Sequence, residues 1–197
     1  MITSTCFAGL VIIGGGCGLM YGFKVPKQFD ANEYDTVISS VSDEKIKITC
    51  ILSDSKQFDS YRRIVQDSSW LQTLSGQPVQ MLYFRGDSLV SYHANCLARG
   101  GLLNLEWNIE RRFEKFPPIS ATSSRPTSLS LSAIKNIYSF PDNNEYVIIV
   151  FWSTMLSKVS KKAIETVKEN LMVYGNLDIT SIVLINTDKY YVSLRED

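Results

Sequence analysis

The stretch Tyr146–Trp152, YVIIVFW, is followed by SKVSKKAIETVKENLMVY over Ser157–Tyr174 and by ITSIVLI over residues 179–185. An unbroken apolar run of that length, rich in β-branched and aromatic residues, reads as a strand buried on both faces. The middle segment places Val159, Ala163, Ile164, Val167 and Leu171 on one side and Lys161, Lys162, Lys168 and Glu169 on the other, the stripe of an amphipathic helix. Gly175 ends it, and the third segment is a second buried strand. A strand–helix–strand succession predicts two parallel strands joined by a right-handed crossover, and so an α/β protein with a mixed or parallel sheet flanked by helices.

Further elements are expected towards the N-terminus. Tyr34, Val37, Ile38 and Val41 fall at helical spacing. Ile46, Ile48, Cys50 and Leu52 alternate with Lys47, Thr49 and Ile51, which predicts a strand with Cys50 on its inner face as a small buried hydrophobe. Phe58, Tyr61, Ile64 and Val65 predict a helix from Ser55 to near Gly76. Pro78 introduces a strand over 79–84, Arg85-Gly86-Asp87 reads as a hairpin tip rather than a recognition tripeptide, and 89–93 returns. A further helix is expected from Gly100 through Leu102, Leu105, Ile109 and Phe113 to Pro117-Pro118. Residues 119–130 are Ser/Thr-rich and linker-like, and a short helix through Leu131, Ile134 and Tyr138 precedes the turn at Pro141.

At 197 residues, with 45% hydrophobic and 20% charged residues, the chain is long enough for a buried core. Its 20 basic and 20 acidic residues balance, so no electrostatic signal points to nucleic acid. One histidine, His93, and four cysteines without C-x-x-C spacing give no metal site, and no cofactor is implied. Hydrolase and phosphate-loop motifs are absent.

Residues 7–23, FAGLVIIGGGCGLMYGF, carry no charge and meet the lower limit of about 17 apolar residues for a membrane span. Residues 1–27 therefore read as a membrane anchor or signal segment, with residues 28–197 as the body. The alternatives are a signal anchor, a cleaved secretory signal and a lipoprotein signal ending at Cys17. The expected location is a bacterial inner membrane with the body facing the periplasm, although Lys24 and Lys27 after the run favour the opposite orientation by the positive-inside rule. Gly14, Gly18 and Gly22 recur at every fourth position; as one small-residue face they would permit an anchor-mediated dimer, and as filler they would not.

Residues 147–162, VIIVFWSTMLSKVSKK, resemble the active-site strand and helix of thioredoxin-like proteins, particularly the membrane-tethered TlpA-like branch. The resemblance implies a thioredoxin-like mixed sheet, with the Phe151-Trp152-Ser153-Thr154 element running into the helix. It also assigns Gln77–Phe113 to the family's closing hairpin and helix, with Pro78 as a cis-proline. The family's two cysteines fall on Leu156 and Val159, which cannot carry thiol–disulfide exchange. The hairpin piece here precedes the strand–helix–strand piece, the reverse of the family order. The expectation is either one sheet in a rearranged strand order, or two partial halves, 28–118 and 131–197, joined by the linker.

Three functions follow. The first is a redox-inactive module binding a protein or peptide through an apolar patch of Trp152, Met155 and Leu156; the bland counterpart is that Leu156 and Val159 cap the core. The second is a thiol–disulfide oxidoreductase using Cys96 beside His93, or Cys50, in a displaced site. The third is a structural subunit of a membrane complex.

Overall fold

The computed structural model describes residues 26–66, 77–94, 107–121, 129–141 and 144–195. The elements in order are α1 (Ala31–Val41), β1 (Lys47–Leu52), α2 (Ser55–Gln66), β2 (Gln80–Arg85), β3 (Ser88–Ala94), α3 (Leu131–Lys135), β4 (Tyr146–Trp152), α4 (Ser157–Tyr174), β5 (Thr180–Asn186) and α5 (Asp188–Ser193). The strands form one five-stranded mixed sheet in the order β1-β5-β4-β2-β3. β1, β5 and β4 are parallel; β2 runs antiparallel to β4 and to β3. Strands from before and after the linker thus interleave, and the two-halves alternative gives way to a single sheet.

β4 lies at the centre, between β5 and β2, and its apolar run is buried on both faces of the sheet. Its odd-numbered residues Val147, Ile149 and Phe151 pack under α2, α3 and α5, and Ile148, Val150 and Trp152 pack under α1 and α4. Asp30 caps α1 by accepting from the Glu33 amide at 3.1 Å. Gly175 ends α4 because a Cβ there would stand 2.6 Å from Leu171 Cδ1 and 2.8 Å from its carbonyl oxygen. At the hairpin tip Gly86 takes φ +53, which glycine adopts without strain. Asp87 accepts from the Ser132 amide at 2.6 Å, and Arg85 pairs with Glu145 at 2.9 Å, so Arg85-Gly86-Asp87 is tied into the fold.

Several expectations need correction. Cys50 is exposed, not buried. β1 is an edge strand covered by β5 on one side only, and alternation along a strand does not reveal whether that strand is central. The helix expected through Ile109 and Phe113 is absent over its described part. Residues 107–121 instead form an irregular strap with a 3-10 turn at Ile109–Arg111, and Glu110 and Arg111 take φ 58 and 56, which a right-handed helix cannot hold. Residues 67–76 and 95–106, and with them Cys96, lie outside the described residues. At the described ends of the linker-like stretch the Ala121 amide donates to the Tyr92 carbonyl at 2.9 Å, and Ser130 bridges Ser88. Among the described residues the cis peptide is Phe116–Pro117, so Pro78 is not a cis-proline. No helix among the described residues is long and apolar enough to cross a membrane, and residues 7–23 lie outside them.

Candidate functional site

Parallel strands end at a common rim, where chain reversals expose backbone groups and where α/β proteins most often place their chemistry. Here the rim is formed by the ends of β4 and β5 and the start of α4, and it holds a knot of buried polar groups. Asp188, 1% exposed, accepts from the Ser153 hydroxyl at 2.6 Å and the Thr154 amide at 2.8 Å through Oδ1. Its Oδ2 accepts from the Asn186 side-chain amide at 3.0 Å. The Ser160 hydroxyl, one turn into α4, donates to the Ser153 carbonyl at 2.8 Å and accepts from the Ser153 amide at 3.2 Å. The Thr187 amide donates to the Trp152 carbonyl at 3.0 Å, extending the β4–β5 ladder past its last residue.

This arrangement immobilises rather than reacts. Ser153 is fully buried, its proton is engaged by Asp188, and its oxygen accepts from the Met155 amide at 3.1 Å. Nucleophilic use would require a path for substrate to the Ser153 hydroxyl, and Ser153 is closed off from solvent. The sequence reading missed this knot. Its local trace is Asn186-Thr187-Asp188 directly after an apolar strand, where the Asp188 amide donates back to Asn186 Oδ1 at 3.0 Å.

Leu156 stands at the N-cap of α4, and Val159 lies in its first turn. They are 3% and 1% exposed, packed in the core on the α4 side of the sheet. Full burial of such side chains contributes about 1.5–3 kcal/mol each. Trp152 is completely buried and stacks on Tyr34 with ring centroids 5.4 Å apart. The apolar contact patch expected from Trp152, Met155 and Leu156 is therefore not a surface: only Met155 is partly exposed, and the other two belong to the core. Pro78 is buried two residues before Gln80, which pairs with Phe151, so it enters the sheet beside the rim.

The displaced thiol site is not assembled among the described residues. His93 is buried, its ring 4.6 Å from Phe113, and burial, reinforced by the Arg112 charge, holds its pKa down at about 3. It is neutral at physiological pH and offers no positive charge to favour a thiolate. Cys50 lies exposed on β1, and the partial desolvation its neighbours impose raises its pKa, the opposite of activation. Among the described residues no cluster of His, Cys, Asp and Glu could hold a metal ion.

No family model, no curated protein and no solved structure matches this chain.

Proposed function

We propose that this is a membrane-tethered, redox-inactive module of thioredoxin-like architecture, acting as a binding or scaffolding domain for a protein or peptide partner. The observation that carries the redox-inactive part of the reading is the burial of Leu156 and Val159 at the start of α4. These are the positions where the resemblance expects a nucleophilic and a resolving thiol, and here both side chains serve the core. The architectural part is supported by the β2–β3 hairpin, which joins β4 antiparallel while α4 follows β4 and leads to the parallel β5. This is the set of pieces the resemblance implies, with the hairpin moved ahead in sequence. The tether rests on the uncharged run 7–23 alone.

The test has two arms on the full chain. An insulin-reduction assay is expected to show no turnover; turnover that disappears in Cys96→Ser or Cys50→Ser would replace this reading with the oxidoreductase one. The double variant Leu156→Cys with Val159→Cys is expected to form a disulfide across the first turn of α4, read by mass under oxidising and reducing conditions. Failure of a folded double variant to close that bond would remove the architectural reading. Flotation with phospholipid vesicles tests the tether separately, and protein left at the bottom of the gradient would remove it.

A further inference from the structure

The strap over 107–121 is fastened at both ends of its course. The Asn170 side-chain amide on α4 donates to the Phe113 carbonyl at 2.7 Å and the Lys115 carbonyl at 2.9 Å. On the other side the Ser91 hydroxyl donates to the Pro118 carbonyl at 2.6 Å, and the Ala121 amide donates to Tyr92 on the outer edge of β3. The Ile119 amide donates to the Arg112 carbonyl at 2.9 Å, closing the strap on itself. His93 lies beneath, against Phe113, with Tyr83 of β2 edge-on at 6.5 Å.

The covered interface is poorly matched in its polar groups. Tyr83 OH, His93 Nε2, Trp107 Nε1, Ser120 Oγ and Asn170 Oδ1 are buried there without a protein hydrogen-bond partner. Each such group forfeits about 1–3 kcal/mol of solvation relative to a paired one. Opening the strap returns these groups to water, so its closed state is held by less than its buried area implies.

We propose that the strap is an acid-released latch: a proton on His93 frees residues 107–121 from β3 and bares that strand's outer edge. The groups bearing on the imidazole favour this. Burial disfavours its charged form most, the Arg112 guanidinium disfavours it next, and a hydrogen bond with the Ile119 backbone opposes them. From β2 comes the Tyr83 phenol, itself held neutral by burial, and from α4 the Asn170 amide, whose Nδ2 is already committed to the strap. The strap's carboxylates are engaged elsewhere, Glu110 with Arg112 at 3.0 Å and Glu114 with Arg111. A proton on His93 therefore meets no counter-charge while the strap is closed and meets water once it opens.

The full chain has a single histidine, so one imidazole resonance reports its protonation by NMR. Amide hydrogen exchange, corrected for the intrinsic effect of pH, reports the strap. From pH 7.5 to 4.5 protection of Phe113, Ile119 and Ala121 is expected to fall about a hundredfold, tenfold for each unit below the free imidazole range. Amides of β4 and β5, which only unfolding of the whole domain exposes, are expected to stay better protected than the strap at every pH, and in His93→Gln the strap's protection should stay level. An imidazole that titrates while the strap stays protected overturns the proposal, as does a strap that keeps its protection to pH 4.5. Equal protection of strap and β4 amides at every pH also overturns it, because the strap then opens only when the whole domain unfolds. Should His93→Gln fail to fold, the wild-type protein decides alone: coincident midpoints for imidazole titration and strap opening support the latch, and separate midpoints refute it.

Discussion

The rim knot and the strap both bury polar side chains, and they do so with opposite completeness. At the rim, both oxygens of Asp188 accept hydrogen bonds, and the Ser153 and Ser160 hydroxyls are each paired. Under the strap, Tyr83 OH and His93 Nε2 have no protein partner. A saturated buried network resists every partial opening because each broken bond strands another group; an unsaturated one gains solvation as it opens. The contrast predicts a rigid strand end and a yielding sheet edge within one small domain.

Substitutions can break or sharpen that contrast. Asp188→Ala should have the largest effect, on the order of 3–5 kcal/mol by denaturant unfolding, since it strands the Ser153 hydroxyl, the Thr154 amide and the Asn186 amide together. A loss below 1 kcal/mol would mean the knot is not the fastening described. The next effect is pH-dependent. Folded, His93 takes its proton only near pH 3, whereas in the unfolded chain it does so near the ordinary imidazole value of about 6.5. Between those values the unfolded state binds more protons, so stability falls as pH falls through that window. From pH 6.5 to 4.5 the wild type should lose about 2 kcal/mol that His93→Gln does not lose. Parallel pH profiles for the two proteins would contradict the buried neutral imidazole. Ser160→Ala, which deletes one paired hydroxyl at the rim, should cost about 1 kcal/mol. Tyr83→Phe, which deletes an unpaired one under the strap, should change stability by under about 0.5 kcal/mol in either direction; a cost matching that of Ser160→Ala would erase the distinction between the regions.

What the sequence disclosed follows the same division between local and distant causes. β4, α4 and β5 were legible because each is specified by its own residues: an apolar run, a 3.6-residue stripe, a second apolar run. The hairpin was legible from Gly86-Asp87 between alternating segments. Cys50 was misplaced because exposure on β1 depends on which strand lies beside it, and strand order is not written in β1. The strap was misread as helix because Ile109 and Phe113 keep helical spacing, while the positive φ at Glu110 and Arg111 occurs at residues that do not advertise it. The knot was invisible because Asp188 and Ser153 are separated by 35 positions along the chain, and only the adjacency of β4 and β5 brings them together. Leu156 and Val159 could be located from the resemblance, but whether they faced a partner or the core required the packing of α4.

The Arg195 guanidinium reaches the Pro26 carbonyl at 3.4 Å, so the first and last described stretches meet at the rim end of the sheet. First and last described residues this close make the order of the elements between them separable from their arrangement. A circularly permuted chain, joined from Arg195 to Pro26 by a short linker and reopened between Ala121 and Leu129, would begin with α3 and the β4–α4–β5 unit and finish with the β2–β3 hairpin and the strap. Every strand would keep its neighbours, and only the connectivity would change.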